Sequence, residues 1–112
     1  MNLSLVSEDQ SGVYVACRGD IALDHLQPTI DLLANVMGPA GYAKRVHLDL
    51  ENTSYIDSAG IGWLIMCHKR FVEHGGKLVL YSVPPVVEQV LRLLKLETIL
   101  TLAGDRDEAR AK

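Results

Sequence analysis

Apolar and polar positions along the chain come in short bursts, separated by glycine, proline and small polar residues. Leu3, Leu5 and Val6 form a short apolar opening, and Gln10-Ser11-Gly12 reads as a turn. Val13-Tyr14-Val15-Ala16-Cys17 is rich in strand formers, so the first segment predicts two short strands in an antiparallel hairpin. After Gly19-Asp20 the period changes. Leu23, Leu26, Ile30, Leu33 and Met37 recur at three- and four-residue steps, the spacing of one helix face. Asp24 is a candidate cap for that helix, and Pro28 fits only its first turn. Gly38-Pro39 and Gly41 end it.

The alternation returns at Val46, Leu48 and Leu50, interleaved with His47 and Asp49, and predicts a strand. A polar loop, Glu51-Asn52-Thr53-Ser54, leads into Tyr55-Ile56-Asp57-Ser58-Ala59-Gly60-Ile61-Gly62. Ile61, Leu64, Ile65, His68, Phe71 and Val72 then mark a second helix, stopped by Gly75-Gly76. Leu78 to Tyr81 reads as a strand, and Pro84-Pro85 opens a third helix carrying Val86, Val87, Val90, Leu91 and Leu94. Ile99 to Leu102 predicts a last short strand, and the charged tail from Asp105 to Lys112 reads as a frayed helix. Strands alternating with helices imply parallel pairing through crossovers. The expectation is an α/β fold: a small mixed, mostly parallel sheet with an antiparallel edge, in a single domain over residues 1–112.

Composition narrows the function. The 112 residues suit one domain, and 48% apolar content is that of an ordinary globular protein. A formal charge of −3 argues against a nucleic-acid binder, which normally carries a basic face. No run of about 18 apolar residues predicts a membrane span, and Met1-Asn2-Leu3-Ser4 lacks the layout of a secretion signal, so a cytoplasmic location is the default. Cys17 and Cys67 lie far apart within apolar runs and read as small core residues. His25, His47, His68 and His74 have no zinc-ligand spacing, and His68 falls on the apolar stripe as a core residue. Neither a metal nor another cofactor is expected.

The segment Asp57-Ser58-Ala59-Gly60-Ile61-Gly62 resembles the signature of STAS domains, the sulfate-transporter and anti-sigma-factor-antagonist family. Gly19-Asp20, Leu48-Asp49-Leu50, Gly75-Gly76-Lys77-Leu78 and Pro84-Pro85-Val86-Val87 resemble family elements in the same order, so the likeness runs from about residue 3 to residue 102. Two departures stand out. Lys95 occupies a helix end where family members often have glycine, and Asn52-Thr53-Ser54-Tyr55 is not a fixed family sequence. The resemblance to the antagonist branch implies a bacterial partner-switching phosphoprotein of transcription regulation. Its partners are a serine-protein kinase that is also an anti-sigma factor, and a serine phosphatase that resets the switch. The unmodified form binds the kinase, and phosphorylation of Ser58 releases it; Asp20 and Asp57 fall beside the acceptor. A non-switching docking subunit of a stress-signalling or lipid-transport assembly is the alternative, and a homodimer is left open.

The residues themselves permit such a switch. Ser58 sits where a loop enters a helix, and either its hydroxyl or the Asp57 carboxylate is placed to cap free N–H groups. Gly60 and Gly62, in the first turn with Ala59, leave room for another backbone, or else serve internal packing. Trp63, with Met66 and Arg70, lies off the predicted stripe and is a candidate partner anchor if exposed. Thr53 and Ser54 are loop hydroxyls and secondary candidates for modification. An enzyme is not expected: Ile56 stands where the first glycine of a nucleophile elbow belongs.

Overall fold

The computed structural model describes residues 1–22 and 31–112. Strands β1 (Asn2–Asp9) and β2 (Gly12–Arg18) form the antiparallel hairpin. Strands β3 (Arg45–Asn52), β4 (Lys77–Tyr81) and β5 (Thr101–Ala103) follow in parallel, giving a five-stranded sheet in the order β1-β2-β3-β4-β5. Helices α1 (Leu32–Met37), α2 (Ser58–His74) and α3 (Pro85–Leu93) fill the connections, and α4 (Arg106–Ala111) closes the described chain. The fold is therefore the mixed α/β sheet that the alternation predicts.

The period of two along each strand sorts side chains onto two faces. Val13, Val15 and Cys17 of β2, Val46, Leu48 and Leu50 of β3, and Leu78 and Leu80 of β4 face one way. They meet Leu33, Trp63, Leu64, Cys67, Phe71, Val87 and Leu91 from the helices in the main core. Both cysteines are free and 1% exposed, as small core residues should be. The opposite face carries Tyr14, Val79, Tyr81 and Ala103, and Ala109 of α4 covers it.

Several element boundaries differ from the pattern. Asp24, Pro28 and the first half of the 23–37 stripe lie outside the described residues. The described part of that helix starts at Leu32, because Asp31 is extended and its carboxylate accepts the Ala34 N–H at 2.9 Å. Gly75 ends α2 at φ +80°, a left-handed conformation that glycine adopts without cost. Lys95 takes the same left-handed conformation at φ 59°, ψ 29° after α3. The missing glycine thus leaves the geometry of the helix end intact and puts a strained lysine in it. The tail is not frayed. Asp105 caps α4 through the Glu108 N–H, and Ala109 is 0% exposed against the sheet. Charge in the sequence concealed the single alanine that docks it.

The second helix required the largest correction. Its buried face is Gly60, Trp63, Leu64, Cys67 and Phe71, whereas Val72 is 63% exposed and His68 only partly buried. Trp63 is 7% exposed and belongs to the main core, so it is not an exposed anchor. Arg70, read as its surface companion, instead donates to Asp31 at 2.8 Å, and Tyr42 donates to the same carboxylate at 2.8 and 2.9 Å. Asp31 thereby ties the start of α1 and the Tyr42 side chain to the C-terminal half of α2.

Candidate functional site

Parallel strands deliver their following loops to one edge of the sheet, where α/β proteins commonly place their sites. Here the loops after β2 and β3 continue the ladder beyond the strands. The Gly19 N–H donates to the Asn52 carbonyl at 3.0 Å, and the Ile21 N–H to the Tyr55 carbonyl at 3.0 Å. The Asp57 N–H donates back to the Ile21 carbonyl at 3.3 Å, and Ile21 and Ile56 form a parallel bridge. This zipper fixes Asp20 beside Ser54, whose hydroxyl donates to the Asp20 carboxylate at 3.0 Å.

The zipper delivers the chain to α2 with Asp57 extended (φ −102°, ψ −177°). Asp57 Oδ1 accepts the Gly60 N–H at 2.8 Å, so the aspartate is the helix cap. Ser58 is then the first helical residue, exposed, and its hydroxyl is not the cap. The two glycines divide in function. A Cβ on Gly60 would lie 2.0 Å from the Ile21 carbonyl oxygen, so Gly60 lets the helix start rest directly on the loop after β2. A Cβ on Gly62 would meet nothing within 4 Å, and Gly62 is exposed. The internal-packing reading holds for Gly60; Gly62 leaves open space on the surface.

The structure thus brings Asp20, Ser54, Asp57, Ser58 and, one turn on, Gly62 to one edge, with Ala59 half-buried between them. It places Gly60 and Trp63 beneath that edge rather than on it. Thr53 is 1% exposed, which removes it from the reach of a modifying enzyme. Its hydroxyl lies beside Cys17, whose thiol burial pushes up and Thr53 partly lowers again. Among the described histidines none accompanies Ser58. His47 is buried on the opposite face beside Tyr14, and His68 and His74 lie ten and sixteen residues along α2, roughly 15 and 24 Å away by helix rise.

The STAS domain family matches residues 6–109, and the chain belongs to that family. Among similar proteins is one of Bordetella bronchiseptica, described as "Putative anti-sigma factor antagonist BtrV", 34% identical over 68 residues. That match spans 61% of this chain and 59% of the relative's length. A crystal structure of an anti-sigma factor antagonist, so described with the same reservation, from Thermotoga maritima aligns with TM-score 0.81 at 20% identity, over 94% of this chain and 89% of that one. The unphosphorylated form of the anti-sigma factor antagonist SpoIIAA aligns with TM-score 0.62 at 12% identity, over 96% and 92% of the two chains. At these identities the two structures share the fold.

Proposed function

We propose that this chain is an anti-sigma-factor antagonist that works as a binding switch, with Ser58 as the phosphorylation site. The observation that carries the reading is the position of Ser58: exposed, first in a 17-residue helix, on a rim built by two zipped loops. The relatives named as antagonists support the same class. The partner is an anti-sigma factor that is also a serine kinase, and a phosphatase restores the unmodified state. Asp20, Ser54, Asp57, Ser58, Ala59 and Gly62 make the contact surface, with Gly60 and Trp63 supporting it from below.

A phosphate on Ser58 adds about −1.5 to −2 charges at neutral pH. The N-terminus of α2 tolerates an anion through its unpaired N–H groups and dipole. The fold survives, since Ser58 points to solvent and the cap belongs to Asp57. The complex does not: a phosphate next to Asp57, pressed into an interface without a cationic partner, costs on the order of 2–5 kcal/mol. That cost corresponds to roughly 30- to 4,000-fold in affinity, sufficient for a switch without a change of shape.

Intact-mass spectrometry of the protein from its native cells, with fragmentation, tests the modification. One added phosphate on Ser58, and partner capture by Ser58→Ala but not Ser58→Asp, is the expected result. A chain unmodified in every growth condition, with both variants capturing the same partners, would establish the non-switching docking subunit instead.

A further inference from the structure

On the face of the sheet opposite the main core, His47 is 0% exposed, an unusual place for an imidazole. Its ring stacks on Tyr14 with centroids 4.5 Å apart and planes 16° from parallel. Arg45 Nε donates to His47 Nε2 at 3.2 Å, so Nε2 carries a lone pair and the ring's proton sits on Nδ1. Among the described residues, no partner meets Nδ1 at hydrogen-bonding geometry. The lid over this pocket is α4. Arg45 Nη2 donates to the Ala109 carbonyl at 3.2 Å, and Arg110 Nε donates to the Tyr14 hydroxyl at 3.1 Å. The Arg106 guanidinium stands 4.1 Å from the Tyr14 ring centre, and its Nη2 donates to Ser7.

We propose that α4 is an acid-released latch held by neutral His47: protonating His47 frees the helix and uncovers the face of Tyr14, Val79, Tyr81 and Ala103, with the rest of the fold in place. Protonation needs a second N–H, on Nε2, where the Arg45 Nε–H already points. It also adds a cation to a face that carries Arg45 and Lys77 from β3 and β4 and Arg106 and Arg110 from α4. Against these stand Asp9, turned toward Ser11 and Arg110; Asp49 and Glu51, beside Tyr81, with Asp49 bonded to the Glu51 N–H; and, on α4 itself, Asp107 near Arg110 and Glu108, turned toward Gly104 and Lys112. Burial lowers the His47 pKa from 6.5 and the Arg45 charge adds to it; the Val13 and Ala109 carbonyls and Asp9 oppose without cancelling. The Ala109 carbonyl already accepts one bond, from Arg45. Relief comes at a short element, a six-residue helix whose one buried residue is Ala109.

The sign follows from linkage: a base whose folded pKa is depressed contributes stability above pH 6.5 that is lost as pH falls. Applied to the latch alone, opening grows about ten-fold between neutral pH and pH 5.5, the limit for a site that excludes the proton when closed. Hydrogen exchange of the whole chain, corrected for intrinsic rates, reads it. Expected is a loss of protection of about ten-fold at the Ala109 and Arg110 amides by pH 5.5, with the α2 amides unchanged. In His47→Phe, which keeps the stack on Tyr14 but cannot protonate, the loss is absent. Unchanged α4 protection, an equal loss in α2, or a loss that persists in His47→Phe would overturn the latch. Should that variant not fold, the wild-type His47 ring titration followed by NMR decides: its midpoint must coincide with the α4 change, and separate midpoints would overturn the proposal.

Discussion

Three substitutions isolate what single residues contribute. Gly60→Ala forces a Cβ against the Ile21 carbonyl at a distance no side chain tolerates, so the loop or the helix start must move. Overpacking of this kind costs about 1–3 kcal/mol, read as a lowered urea midpoint. Gly62→Ala has open space and sits in a helix, where alanine is favoured by up to about 1 kcal/mol, so stability rises. If the rim binds a partner backbone at Gly62, the same methyl weakens capture while raising the midpoint, a combination that separates recognition from folding. Lys95→Gly removes a left-handed strain of about 1–2 kcal/mol and gives back part of it as backbone entropy. A net gain of about 0.5–1 kcal/mol in thermal or urea unfolding is expected. These effects were unevenly legible in the chain itself. Ser58 at a helix entrance could be read from the residues around it. Which of Asp57 and Ser58 caps could not, because both side chains are capable and the ψ of −177° at Asp57 decides. The separate roles of Gly60 and Gly62 were equally hidden, since the Ile21 carbonyl that distinguishes them comes from another loop.

Elements with sharp punctuation were readable, and elements whose position depends on distant partners were not. The hairpin, β3, β4 and α3 fall where alternation, glycine pairs and Pro84-Pro85 place them. The phase of α2 did not emerge, because Ile61 and the whole run from Trp63 to Cys67 are apolar and a helical stripe can be drawn through them in more than one way. The true face is set by Gly60 on Ile21 and by Phe71 against Tyr42, whose rings meet at 4.9 Å. Asp31, Tyr42 and Arg70 are equally silent in sequence, being 11 and 28 residues apart. Asp31 caps α1 and accepts from both of the others, so its removal acts on α1, on Tyr42 and on α2 at once. Asp31→Ala should cost about 1–3 kcal/mol, most of it from the cap and the hydrogen bonds. Arg70→Met should cost no more than about 1 kcal/mol, since the ion pair is a third exposed on both sides. Urea midpoints that rank the two variants in the opposite order would place the energy in the ion pair rather than the cap.

At the scale of the molecule, the sheet separates a large core from a small one, and the two need not open together. The main core joins β2, β3, β4 and all three longer connections, and it contains both thiols, Cys17 on β2 and Cys67 on α2. Burial pushes the Cys17 thiol up and the Cys67 thiol up to about 12. In the folded state neither presents thiolate or surface to a reagent, so an aromatic disulfide reacts only through opening. Were opening local, the strand and helix thiols would react at unrelated rates. Cooperative opening of the main core predicts one rate for both, with one denaturant dependence equal to that of global unfolding. Mass spectrometry of the singly labelled species measures this, since Cys17 and Cys67 adducts should accumulate equally at every urea concentration. The small core makes no difference to the result, because α4 covers neither thiol and its release leaves the helices on the other face in place. Acidification should therefore loosen α4 without raising either labelling rate beyond its ordinary pH dependence. A preference for Cys67 at low urea would instead mean that α2 detaches from the sheet on its own, and the rim that carries Ser58 would then rest on a helix less firmly held than its packing implies.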